Sequence, residues 1–150
     1  MTRKIFKDFT NALLPIIKDN CSPKGYRMLK NAMVESQVEG EVGAEAEKFI
    51  ENHLQTEGYT TVREGKPIDI YGFNGEEILL VSVKYKTNCK FSTPPASNDA
   101  EERFDCVENI IERGLKKLEE SYPIRKIRYN VCPDEDGNFD IDDEIEFFNS

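Results

Sequence analysis

Lys66-Pro67-Ile68-Asp69-Ile70-Tyr71-Gly72-Phe73-Asn74-Gly75-Glu76-Glu77-Ile78-Leu79-Leu80-Val81-Ser82-Val83-Lys84 is the stretch on which the reading of this chain turns. Two runs rich in apolar and β-branched residues flank Asn74-Gly75, a pair suited to the two positive-φ positions of a type I′ hairpin. A two-residue turn pairs Phe73 with Glu76 and sets Asp69 opposite Leu80. Side chains alternate along a strand, so Asp69, Leu80, Ser82 and Lys84 then share one face, with Ser82 diagonal to Asp69. Asp69 stands between Ile68 and Ile70, where a half-buried carboxylate needs a partner. The plainer readings are an edge carboxylate for Asp69 and a lysine snorkelling at a strand end for Lys84. Finding both on one face of an apolar hairpin favours a functional site.

Upstream, residues 41–57 have helical spacing and stop at Gly58, a good C-terminal cap. Ala46, Phe49, Ile50, His53 and Leu54 mark the buried stripe. Glu47 lies in line with Ile50 and Leu54 and so points toward a sheet; Glu45 lies nearer Phe49, and either glutamate also reads as a solvated surface residue. Residues 59–63 form a strand. Downstream, a loop containing Pro94-Pro95 precedes a helix over 98–120 with the apolar face Phe104, Val107, Ile111, Leu115 and Leu118. Asn98-x-x-Glu101 fits a capping box. Ile127, Tyr129 and Val131 alternate as a strand, and Phe139 and Ile141 open a last one after an Asp-Gly-Asn turn. Before all of this, residues 3–19 and 22–35 read as two helices, the first kinked or ended by Pro15, with Asn20-Cys21-Ser22 as the break. They either complete the core or form a dimer surface.

The order helix, strand, hairpin, helix, strand, with Pro67-Ile68-Asp69 on one arm and Ser82-Val83-Lys84 on the other, resembles the PD-(D/E)xK nuclease superfamily. That is the restriction-endonuclease-like fold, which includes archaeal Holliday junction resolvases. The likeness runs from about residue 43 to 86, with the next helix and strand also in order. It implies an α/β fold: a central mixed β-sheet flanked by helices, here with two extra N-terminal helices. It also implies metal-dependent hydrolysis of DNA phosphodiester bonds, with Mg2+ or Mn2+ as cofactor. On that pattern Asp69 and the Val83 carbonyl bind the metal directly, Glu47 holds the metal or its water, and Lys84 is the catalytic lysine. Lys86 and Lys90 extend the positive charge and would hold phosphates. The chain departs from the pattern in two ways: one residue is inserted in the Pro-Asp element, and Ser82 stands where the second acid belongs. A subgroup of restriction enzymes carries Ser-x-Lys and takes the acid from the following helix, where Glu101 is the best-placed residue and Glu102 the next. Little chain remains for a recognition domain, so the expected action is directed to DNA structure or ends. The alternatives are a catalytically silent binding or regulatory subunit, and an acidic nucleic-acid mimic that inhibits a DNA-binding enzyme.

At 150 residues the chain reads as one domain: a helical extension over 1–40, a nuclease-like core over 41–132 and an acidic segment over 133–150. The formal charge of −9 argues against nucleic-acid binding until it is located. Eight of the 29 acids follow Pro133 with no Lys or Arg among them, leaving 21 acids against 20 bases before that point. The body is nearly neutral, and the acidic end is a docking surface for a basic protein partner or a competitor of DNA. No apolar run spans a membrane and no signal-peptide pattern is present, so an intracellular chain is expected, with Cys21, Cys89, Cys106 and Cys132 as reduced thiols. The single His53 rules out a histidine-rich metal site and reads as a partly exposed helix residue. No phosphate-binding glycine loop, nucleophile elbow or repeat competes with the hairpin.

Overall fold

Ala46, Ile50 and Leu54 recur every four residues and are fully buried, which fixes one face of helix α1 (Gly40–Thr56) against the sheet. Gly58, at φ +96°, ends the helix. Its amide donates to the Gln55 carbonyl and the Tyr59 amide to Leu54, the paired bonds of a Schellman cap. The computed structural model describes residues 40–63, 68–91, 98–117 and 119–148, without the side chains of 40–42 and 98–102; the two expected N-terminal helices lie outside the described residues.

Strands β1 (Thr60–Arg63), β2 (Ile70–Phe73), β3 (Ile78–Tyr85), β4 (Ile124–Pro133) and β5 (Phe139–Phe147) form one mixed sheet in sequence order. All neighbours are antiparallel except β3 and β4, which run parallel. A parallel pair needs a crossover, and helix α2 (Asn98–Lys117) supplies it. The two helices cover opposite faces. Leu79, Val81, Ile127, Tyr129 and Val131 pack with α1, while Ile78, Leu80, Tyr71 and Phe73 pack with Phe104, Val107, Ile111 and Leu115 of α2. The result is an α/β/α arrangement with a core on each side of the sheet.

The hairpin register differs from the two-residue turn that Asn74-Gly75 suggested. Phe73 pairs with Ile78 and Tyr71 with Leu80, so residues 74–77 make the connection. Only Gly75 has positive φ, at +94°; Asn74 instead accepts the Glu76 and Glu77 amides on its Oδ1, at 2.8 Å each. The side chain thus mimics the backbone turn that a second left-handed residue would have made. The register moves by two residues, the strand period, so each side chain keeps its expected face.

A second correction concerns the cysteines. Cys89 and Cys132 are joined in a disulfide with Cα atoms 5.3 Å apart, instead of standing as two reduced thiols. Parallel pairing of Tyr85 with Val131 brings the C-terminal ends of β3 and β4 side by side, which places the two cysteines within reach. At the other end of the same strands, Arg125 bridges Glu77 at 3.0 Å and Glu146 through its Nε at 2.6 Å, and the Tyr59 hydroxyl donates to Glu77. Among the described residues no helix is long and apolar enough to cross a membrane.

Candidate functional site

Strand β2 begins at Ile70 after a bend at Ile68-Asp69, while its neighbour β3 runs on through Ser82 to Tyr85. Beyond Val81 the edge of β3 is not paired with β2. The Val83 amide, aimed at the β2 side, donates to Asp69 Oδ2 at 2.8 Å in place of a ladder bond. The carbonyl of a strand residue points to the same side as its amide, so the Val83 carbonyl also faces this margin. Continuing the register one step past Ile70–Val81 puts Asp69 level with Ser82.

Glu47 reaches Asp69 from the α1 side, and its carboxyl hydrogen-bonds the Asp69 carboxylate. Burial pushes Glu47 up to about 7, and the neighbouring Asp69 charge and their hydrogen bond add to the rise; Arg63 opposes it. Asp69 is also raised, by burial, against the Val83 amide, Lys84, Glu47 and Arg103, which favour its ionised form. Two carboxyls this close titrate as a pair. Lys84, on the α2 side, lies below the usual lysine range. Burial is the first cause and the cations Arg103, Arg128 and Lys86 the next, while Asp69 pulls the other way. The residue keeps contact with solvent, so this desolvation is partial.

The structure thus brings Glu47, Asp69, the Val83 backbone and Lys84 together, with half-buried Ser82 beside them. Between Glu45 and Glu47 it selects Glu47, since Glu45 is exposed. Lys86 is exposed at the end of β3 and near enough for its charge to act on Lys84. Lys90 is exposed in the following loop, where its amide bonds Asn88, and nothing ties its ammonium to the site. The side chains of Glu101 and Glu102 lie outside the described residues. His53 is partly exposed and contacts Glu57 at 3.1 Å, away from the site.

Sequence reading missed Arg103, Arg128 and Asn130. Arg128 and Asn130 alternate with Ile127, Tyr129 and Val131, and so lie on the other face of β4, which the pattern alone assigns to solvent. That face is covered by α2, and both residues are buried. The signal was available: a strand between two helix layers has no wet face, so polar residues at its inward positions need a purpose.

Among the described residues no three His, Cys, Asp or Glu side chains gather into a full metal-binding group. Glu47 and Asp69 alone nevertheless fit a hard divalent cation. They are adjacent carboxyls at a margin, both raised chiefly by burial, and magnesium commonly takes only one or two protein carboxylates. Compared with known proteins, the chain matches no family model, and no curated protein shows significant similarity to it.

Proposed function

We propose that this protein is a metal-dependent nuclease that hydrolyses DNA phosphodiester bonds, built on a restriction-endonuclease-like core. The observation that carries the reading is the meeting of Glu47, Asp69 and Lys84 where β2 parts from β3. The element order also supports it: helix, two antiparallel pairings, crossover helix, parallel strand. Asp69, the Val83 carbonyl and Glu47 would hold a magnesium or manganese ion. Such an ion supplies a more acidic bound water and offsets charge on the phosphorane. The chain's own groups do the rest. The Val83 amide fixes the Asp69 carboxylate in place, and Glu47 releases its proton when the site is loaded. The Lys84 ammonium neutralises a phosphate oxygen or orients the attacking water.

The experiment is cleavage of branched and single-stranded DNA in magnesium or manganese. Lys84→Ala should lower the rate by about two to three orders of magnitude, the usual effect of removing one charge-stabilising group. Asp69→Asn should abolish metal-dependent cleavage, with circular dichroism unchanged in both variants. A silent binding subunit is the second reading, favoured by Ser82 and by the lack of a third carboxylate among the described residues. Wild type and Ser82→Glu both inert across these substrates would decide for it.

A further inference from the structure

Strand β3 ends at Tyr85, and the next five residues, Lys86-Thr87-Asn88-Cys89-Lys90, are all exposed. Their hydrogen bonds are mostly internal to the turn. The Cys89 amide donates to the Lys86 carbonyl at 3.5 Å, and the Lys90 amide to the Asn88 side chain at 3.0 Å. At the root, the Lys86 amide donates to the Val131 carbonyl of β4 at 3.2 Å. Beyond that root, among the described residues, no hydrogen bond or ion pair of Thr87, Asn88 or Lys90 reaches the sheet. Cys89 does reach it, through its disulfide to Cys132 and a 3.9 Å approach of its sulfur to the Pro133 carbonyl.

The link closes the end of the sheet that carries the site. Lys84 pairs with Asn130, and carrying the register two residues on sets Lys86 level with Cys132, on the same face. Two strand residues span roughly 7 Å, so the disulfide lies one same-face step past Lys84. Its two ends are unequal: Cys89 is exposed, while Cys132 is 6% exposed. Cys89 also holds φ at +56°, a left-handed conformation that a residue with a Cβ seldom keeps unless its surroundings impose it. Lys86 and Lys90, exposed on either side in sequence, favour the approach of an anionic thiolate to the outer sulfur.

We propose that the Cys89–Cys132 disulfide is a reversible redox latch, opened by a dithiol reductant, that holds the Lys86–Lys90 turn against the end of the sheet beside Lys84. A thiolate of the reductant bonds to the Cys89 sulfur as the disulfide breaks, and the electron pair leaves on the Cys132 sulfur, which takes up a proton. The reductant's second thiol then displaces Cys89, which leaves as a thiol. Two electrons have passed to the chain, and the reductant is left as its own disulfide. Once opened, the turn keeps its root at Val131 and loses the bond that held Cys89 in its left-handed conformation. The sheet keeps both of its cores, because no residue of the turn belongs to either. That freeing Lys86 and Lys90 alters the handling of DNA rests on the nuclease reading; the latch itself rests on the cysteine pair and the turn it anchors.

The test starts from the oxidised full chain under native conditions. Dithiothreitol should reduce the link at a rate within about tenfold of that in the urea-unfolded chain, since the outer sulfur is already in reach. With glutathione in its place, alkylation and mass spectrometry should find the trapped mixed disulfide on Cys89 and not on Cys132. Reduction should then open the turn alone. Trypsin should cut after Lys86 and Lys90 about tenfold faster or more, while amide exchange in β2, β3 and β4 stays slow. Cys89→Ser, a change at the exposed end, should show the same trypsin sensitivity without reductant. A link that resists dithiothreitol until the chain unfolds would overturn the latch, as would exchange that rises across the whole sheet on reduction, or equal cutting of the two forms. DNA cleaved by a chain whose link resists reduction would leave the nuclease reading standing without the latch. A turn that opens on reduction in a chain that cleaves no DNA in either form would sustain the latch and sink that reading.

Discussion

Glu47 holds its proton to about pH 7, where a free glutamate loses it near 4.5. Between those values the folded chain binds more protons than the unfolded one, so stability falls as pH rises through that window, and the loss is complete above it. A divalent cation reverses the penalty by giving two adjacent carboxylates a shared counter-charge. Two melting experiments follow. The melting temperature of Glu47→Gln should fall less than that of wild type between pH 5 and pH 8. Manganese should raise the wild-type melting temperature more at pH 8 than at pH 5.5, and Asp69→Asn should erase most of that gain. Equal manganese effects at both pH values would mean that the ion does not displace this proton. Ser82 belongs to the same scale. Because it lies level with Asp69 and beside Arg128, Ser82→Glu introduces a carboxylate between a carboxyl pair and a guanidinium. The new charge should go to Arg128, lowering DNA affinity instead of restoring activity.

The hairpin formed by β2 and β3 gave up its faces to sequence reading but not its register. Alternation along Ile78–Tyr85 depends only on which residues are apolar, and it placed Ser82 and Lys84 together regardless of the turn. Loop length depends on where Asn74 sends its amide, a choice between two local hydrogen-bond patterns of similar energy. Helix α1 was legible from its stripe and Gly58, and that stripe carried Glu47 to Asp69. Strand β4 was half legible: its apolar positions were plain, while Lys126, Arg128 and Asn130 became buried only because α2 closes over them. Lys126 meets Glu108 of that helix at 2.6 Å, a pairing of two elements that no local pattern announces. The disulfide was illegible for the same reason, since Cys89 and Cys132 are 43 residues apart and meet only through the parallel pairing. Closing a loop of that length should contribute roughly 4 kcal/mol by restricting the unfolded chain. Urea unfolding with and without reductant measures it, and Cys132→Ser should reproduce the reduced midpoint. Coincident curves would show that the link does not form in solution.

Across the whole molecule, charge is divided by strand. Cations gather on β3 and β4, and acids line β5, where Asp140, Asp142, Asp143 and Glu144 are exposed. The acidic end is part of the sheet: Phe139 and Ile141 pack into one core and Phe147 against the other. Its turn residue Asp134 is already engaged, accepting the Asp136 and Asn138 amides at 2.9 Å each. Asp143, whose charge acts on Arg128 beside Ser82, is the acid by which the strand's field can compete with DNA at the site. Asp143→Asn should tighten DNA binding, most at low salt where screening is weakest, and identical affinities at two salt concentrations would exclude that competition. Strand β5 also has no further strand beside it among the described residues. A strand of nine residues is long enough to recruit the same strand of another copy. Each arriving copy would bring its own row of carboxylates against this one, and like charges oppose the pairing. Solubility of this protein should therefore be a property of a few side chains. Replacing Asp140, Asp142 and Glu144 with Asn and Gln should leave the monomer folded, yet let two copies pair edge to edge, seen as a concentration-dependent dimer in sedimentation.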